Sequence, residues 1–351
     1  MHPVRTRPFQ LPLAHAWRTL PVFVSLLGLG AASHAEPTLY GLIDVGLAST
    51  DAGLGRLTSL DSGVVLGSRF GLRGDEDLGG GSKAVYTLEN GFNVDTGAQG
   101  QGGLLFGRQA FVGFTNDSYG RITMGRHYSV FHTTLATYSL GGLVWGNALN
   151  YFRDGSILRL DNSIRYESPQ FYGFSSKLMV ALGEQAGSSV GNVFNPSIDY
   201  RNGAFQAGAS TLQRRKLAGN DERFNTLGAS YDAGWIKLAA LAYTQRDQLP
   251  AATSLARNAF ELSATLPVGT NAVWLSYGQD HGKARAQSDA SAFSARYDYT
   301  LSKRTRLYAG YSLIHNQANA NFSINSSSNA GPTVTLGHNV NQAVLGMLHS
   351  F

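Results

Sequence analysis

The sequence predicts an all-β protein, a transmembrane antiparallel β-barrel of about sixteen strands. Three observations carry that prediction. Hydrophobicity alternates with a period of two along most of the chain, tight turns alternate in order with long polar connections, and the last residues, NQAVLGMLHSF (341–351), keep strand alternation up to a terminal phenylalanine.

The alternation is clearest where one face is apolar and the other polar. In TLYGLIDVGL (38–47), Leu39, Ile43, Val45 and Leu47 share a face, opposite Thr38, Tyr40, Asp44 and Gly46. In SAFSARYDYTL, Phe293, Ala295, Tyr297, Tyr299 and Leu301 alternate with Ser294, Arg296, Asp298 and Thr300. In RLYAGYSLI, Leu307, Ala309, Tyr311 and Leu313 alternate with Arg306, Tyr308, Gly310 and Ser312. A period of two is that of a strand with unlike faces, which soluble sandwiches and membrane barrels share.

The connections separate the two. Tight turn signals rich in Gly, Asn, Asp, Pro and Ser occur at 77–81, 116–120, 169–173, 202–203, 232–234, 267–269 and 301–303. Longer polar stretches lie around 50–65, 94–106, 127–160, 185–194, 214–222, 247–256, 281–290 and 317–338. Short and long connections strictly alternate, so all short turns fall at one end of the strands and all long loops at the other, as in an outer-membrane barrel. Both termini then lie at the short-turn end. The last strand of a closed barrel must pair with the first, because a frayed edge in hydrocarbon leaves backbone groups without partners. That explains why the alternation runs to Phe351.

The first 35 residues read as an export signal. Arg5, Arg7 and Arg18 precede an apolar run, LPVFVSLLGLGAA (20–32), and Ser33-His34-Ala35 forms a small-x-small cleavage pattern. The run is shorter than a membrane-crossing helix requires, and no later stretch is a hydrophobic helix of spanning length. Of 28 basic residues three belong to this leader, leaving 25 against 23 acids, a formal charge of about +2. No basic run remains to support nucleic-acid binding. With no cysteine, disulfides and thiolate metal sites are excluded.

TLYGLIDVGL directly after the leader, SRFGLRGDEDLGGGSKAVYTLENGFN (Ser68–Asn93), FGRQAFVGF (Phe106–Phe114), YGRITMGRHY (Tyr119–Tyr128), NSIRYESP (Asn162–Pro169) and the closing aromatic resemble the general porins of Gram-negative outer membranes. The resemblance covers essentially the whole chain after residue 35 and is densest in its first third. It implies a homotrimer of sixteen-stranded barrels in the outer membrane, in contact with lipid and lipopolysaccharide. Each barrel would hold a water-filled pore narrowed by a long third loop folded inward, and would pass small hydrophilic solutes by diffusion without any cofactor. It also implies that the terminal strand ending in Phe351 is read by the barrel-assembly machinery.

Selectivity in such a pore rests on its width and lining charges. In RFGLRG the pleat sends Phe70 and Leu72 to the lipid face and Arg69, Gly71 and Arg73 to the water face; in NSIRYE it sends Ile164 and Tyr166 out and Ser163, Arg165 and Glu167 in. The family carries a ladder of basic residues on the wall facing the inserted loop. By resemblance, Arg69, Arg108 and Arg165 match it, with Arg73 and Arg126 beside them; Arg108 is placed inward with Phe111 toward lipid. The third loop, Arg126 to Leu160, is aromatic and holds a single acid, Asp154. It departs from family members whose loop carries several acids, and it lacks their Pro-Glu-Phe-Gly element. With arginines on the wall and one acid opposite, the pore is expected to prefer anions.

Two other functions fit parts of the sequence. An aromatic third loop could guide sugars or organic anions in a substrate-specific channel. An outer-membrane hydrolase of barrel form would need a serine–histidine pair on its outer wall. Gly187-Ser188-Ser189-Val190-Gly191 matches G-x-S-x-G but sits in a Gly/Ser-rich loop, not a strand-to-helix turn. His127, His132, His281, His315, His338 and His349 show no metal-ligand spacing. His127 and His132 are the two near enough to the third loop to point into the pore, but surface or loop positions are the expectation for them.

Overall fold

The computed structural model describes residues 36–351 apart from 218–219, 252 and 328–330; the expected export signal, 1–35, lies outside the described residues. The strands are β1 (Thr38–Asp51), β2 (Arg56–Ser62), β3 (Arg69–Gly79), β4 (Ser82–Gly91), β5 (Gln109–Asn116), β6 (Gly120–Tyr128), β7 (Arg159–Glu167), β8 (Phe174–Ala181) and β9 (Val193–Asn202), followed by β10 (Phe205–Arg214), β11 (Glu222–Asp232), β12 (Lys237–Arg246), β13 (Arg257–Val268), β14 (Asn271–Gly282), β15 (Ala290–Thr300), β16 (Thr305–Asn316) and β17 (Val340–Ser350). Each pairs antiparallel with its neighbours, and β17 returns to β1 with Leu42 opposite Ser350 and Asp51 opposite Asn341. The ring is closed. Its seam ends on a reciprocal backbone pair, Gly41 N to Phe351 O and Phe351 N to Gly41 O, both 3.0 Å. Position 41 suits glycine because a Cβ there would collide with the Phe351 ring.

Among the described residues, seventeen strand segments fill sixteen wall positions. β2 covers the upper part of β1, Asp51 opposite Arg56, and β3 covers the lower part, Leu42 opposite Arg69. The expectation of a structureless connection over 50–65 is corrected here, since β2 lies inside it. Leu57 and Leu60 fall on opposite faces of that strand, so no period of two is visible there. Between β2 and β3 the chain leaves the wall, and Asp44 holds the excursion. Its carboxylate accepts from Val65 N (2.8 Å) and Leu66 N (2.6 Å) and from the Tyr308 hydroxyl (2.6 Å).

The faces are inverted relative to a soluble domain. On β15, Phe293, Tyr297 and Tyr299 are exposed while Ser294, Arg296 and Asp298 are buried. On β17, Leu345 and Met347 are exposed while Gln342 is buried. Apolar side chains outside and polar side chains inside are what hydrocarbon around the ring requires.

The third connection, between β6 and β7, folds into α1 (Val130–Tyr138) and α2 (Ala148–Phe152). Ser129 caps α1 by accepting from His132 N at 3.0 Å. Hydrogen bonds then tie the connection to polar residues on five strands. Asn195 accepts from Phe131 N (2.8 Å), Ser263 from Leu140 N (3.1 Å) and Ser276 from Ala148 N (3.3 Å), and Trp145 donates to Gln342 (2.6 Å). Tyr151 and Ser312 share a bond of 3.0 Å. Glu261 accepts three bonds, from Ser139 Oγ (2.7 Å), Asn147 Nδ2 (2.9 Å) and Leu149 N (2.9 Å). Glycines leave room for the approach: a Cβ at Gly228 would lie 2.6 Å from Tyr138, and one at Gly310 would lie 2.6 Å from Trp145.

Candidate functional site

The polar face of β3–β7 gathers arginines around one acid and one tyrosine. Glu89 on β4 is buried; its Oε1 accepts from Arg108 Nε at 2.9 Å, its Oε2 accepts from the Tyr40 hydroxyl at 3.0 Å, and Arg69 Nε lies 3.7 Å away. The Tyr128 hydroxyl, at the end of β6, accepts from Arg108 Nη2 and from Arg159 Nη2, both at 2.6 Å. Arg159 also lies over the Tyr128 ring, 4.3 Å from its centroid, and His132 stacks on that ring at 5.2 Å. Arg108 is balanced by Glu89, whereas Arg159 donates to the phenol oxygen, which accepts a hydrogen bond but supplies no carboxylate.

Arg126 donates from Nε to Gly107 O at 2.8 Å and pairs with Asp161. Arg153, just past α2, donates to Asn150 Oδ1 at 3.1 Å. Among the described residues, no acid lies within ion-pair distance of Arg153 or Arg159. Five guanidiniums (Arg69, Arg108, Arg126, Arg153, Arg159) therefore share two ion-paired carboxylates, Glu89 and Asp161.

The expected residues separate into two groups. Arg69, Arg108 and Arg126 meet in this cluster. Arg165 faces the same side but is balanced by Glu167 at 3.0 Å, and Arg73, further toward the short turns, lies over the Tyr40 ring at 5.0 Å. Asp154 accepts from Ser156 N at 2.7 Å and lies 3.8 Å from Arg214, so its charge is met there and not by the cluster.

Phe111 is a correction. Parity from Arg108 places it toward lipid, but Val112 and Phe114 are the exposed residues, while Phe111 stacks on buried His127 at 4.7 Å. Arg108 nonetheless points inward because it precedes β5 by one residue, where the pleat does not yet apply. An aromatic track for sugars or organic anions, the alternative function, would need exposed rings in this loop. Phe131, Tyr138, Trp145, Tyr151 and Phe152 are all buried, between 0 and 5% exposed, and they pack the third connection against the wall.

His132 does not act as a neutral-pH charge. Burial, reinforced by Arg153, Arg159 and Arg108, holds its imidazole well below its ordinary value. A depressed histidine contributes its full stabilisation above the unfolded value near 6.5 and loses it as pH falls toward the native value. Arg153 is pushed down to about 10 by burial and stays charged at neutral pH.

A family model described as Gram-negative porin matches residues 24–319. Outer membrane porin protein 32 of Delftia acidovorans is 29% identical over 353 residues, covering 95% of this chain and 99% of that protein. An outer membrane porin protein of Bordetella pertussis is 30% identical over 358 residues, covering 83% of this chain and 92% of that protein. Among solved structures, the anion-selective porin from Comamonas acidovorans superposes with a TM-score of 0.79 at 28% identity, over 90% of this chain and all of that one. Salmonella typhi OmpF, solved with daunomycin, shares the fold at a TM-score of 0.69 and 18% identity, over 90% and 98%.

Proposed function

The chain belongs to the Gram-negative porin family and is an outer-membrane channel for passive diffusion, not an enzyme, and from that premise we propose that its pore prefers anions. The observation that carries this is the surplus of guanidinium over carboxylate around Tyr128, where Arg153 and Arg159 meet no acid among the described residues. The third connection, hydrogen-bonded to the polar faces of β9, β13, β14, β16 and β17, lies inside the ring and narrows it. Solutes then pass between it and the basic wall formed by Arg69, Arg108, Arg126, Arg153 and Arg159, with Arg73, Arg165 and Asp154 at the margins. The 28% identical anion-selective porin supports the same sign.

In this reading residues 1–35 direct export, the barrel assembles as a homotrimer surrounded by outer-membrane lipid and lipopolysaccharide, and the strand ending in Phe351 addresses the assembly machinery. The trimer-form structure of Vibrio cholerae OmpT supports the trimer, since that barrel has the same fold. Reversal potentials across planar bilayers in a KCl gradient test the selectivity. A potential of anion-selective sign is expected at neutral pH. A cation-selective sign overturns the proposal.

A further inference from the structure

We propose that the connection between β16 and β17 is a second selectivity element, which closes the lumen over α2 and confines solutes to the arginine side. The proposal rests on the arginine wall being the face that permeating ions meet.

The connection folds back across the third one and does not project from the rim. Its Phe322 is fixed to the end of β16 by a reciprocal pair, with Asn316 Nδ2 donating to Phe322 O (3.0 Å) and Phe322 N donating to Asn316 Oδ1 (3.1 Å). The Phe322 ring then meets Phe152 of α2 edge-on at 5.0 Å. Arg257 on β13 clamps both, lying 5.0 Å over the Phe322 ring and donating to Phe152 O at 3.3 Å. Further along, Asn150 donates to Asn325 Oδ1 at 2.5 Å. Ile324 and Val334 are buried in the apolar cluster that holds Trp145.

The far end reaches the basic wall. Ser327 N donates to Gly63 O at 2.9 Å, in the excursion between β2 and β3. A Cβ at Gly67 would lie 3.0 Å from Ser327 Oγ and 2.7 Å from Arg108 Nη1, so this part of the connection and the Arg108 guanidinium approach the same glycine.

The polar-face positions Ser312, Ile314 and Val340 under the connection are 0% exposed; on the basic wall the Arg69 and Arg126 side chains keep 23% and 19%, and Arg108, next to the connection, keeps 6%. The aromatic and amide contacts onto α2 place an apolar seal over the part of the lumen away from the Tyr128 arginine cluster, and pore cross-section and lining charge together set selectivity.

The chain has no cysteine, so the test can be made by chemistry at one pair of positions. In the variant Asn150→Cys/Asn325→Cys, a short bifunctional thiol reagent ties the two connections together. In a second variant, Phe322→Ala/Asn325→Ala, the contacts onto α2 are removed, and heat-modifiable electrophoretic mobility verifies that the barrel is folded. The tied channel is expected to conduct as the parent does. The loosened channel is expected to conduct about 1.5-fold more or higher, with a reduced anion preference. Conductance lowered by the tie, or unchanged by loosening, overturns the seal. A parent without anion preference whose conductance still rises on loosening overturns the arginine reading and leaves the seal standing.

Discussion

Replacing Arg153 and Arg159 together with glutamine is expected to lower the anion-to-cation permeability ratio about fivefold at roughly 0.1 M salt. That magnitude follows from distance and screening. Two unit charges about 8 Å apart interact by about 0.5 kcal/mol in water and about 2 kcal/mol at an effective dielectric of about 20. Neither of the two charges removed has a carboxylate within ion-pair distance among the described residues; Arg153 feels neighbouring Asp154 through space, so Arg159 is expected to carry the larger share of the effect. At about 1 M salt, where the Debye length is about 3 Å, most of the difference should vanish. The double variant Arg165→Gln/Glu167→Gln is the control, because it removes a pair that balances itself at 3.0 Å and should change the ratio less than about twofold. An equal shift from that control would show that pairing does not decide which arginines matter.

Loss of Glu261 should change the pore's size more than its charge. Its carboxylate accepts from Ser139 Oγ, Asn147 Nδ2 and Leu149 N, so it fastens both the end of α1 and the start of α2 to β13. Hydrogen bonds to a charged acceptor contribute about 1.5–3 kcal/mol each, and alanine would also remove the acceptor of Ser139 Oγ and Leu149 N, while Asn147 Nδ2 keeps Leu140 O. The wall strand is held by its own ladder to β12 and β14, so the third connection should detach while the barrel stays folded. In Glu261→Ala, single-channel conductance is expected to rise about twofold with added current noise. Glu261→Gln keeps an acceptor oxygen and should lie between. A quiet channel of parental conductance from Glu261→Ala would mean that the remaining anchors, among them Asn195, Ser263, Ser276, Ser312 and Gln342, suffice alone.

What is legible in the sequence divides along the pleat. Where a paired strand has one apolar and one polar face, alternation alone gives the direction: Phe70 and Leu72 out with Arg69 in, Ile164 and Tyr166 out with Arg165 in, and Phe293 out with Arg296 in. The closing strand is legible for the same reason, since only a partner for Val340–Ser350 explains apolar alternation at a chain end.

Direction is lost where the ladder stops. Arg108 lies one residue before β5, so parity counted from it puts Phe111 on the wrong face. Arg153 and Arg159 flank the short turn that ends the third connection, where no periodicity tells inward from outward, and alternation does not single them out. The signal that finds them is composition. Two arginines beside a lone acid, Asp154, at the end of that aromatic stretch are already a local excess of positive charge.

One face of each strand touches acyl chains while the other wets an enclosed path beside the arginines. Cysteine placed singly at Arg159 and at Leu345, followed by a membrane-impermeant methanethiosulfonate added to the reconstituted channel, separates the two faces in one experiment. Arg159→Cys should lose conductance stepwise, faster with an anionic reagent than with a cationic one, and Leu345→Cys, whose side chain lies on the exposed outer face, should not react. Modification of Leu345→Cys with Arg159→Cys left untouched would be incompatible with that division.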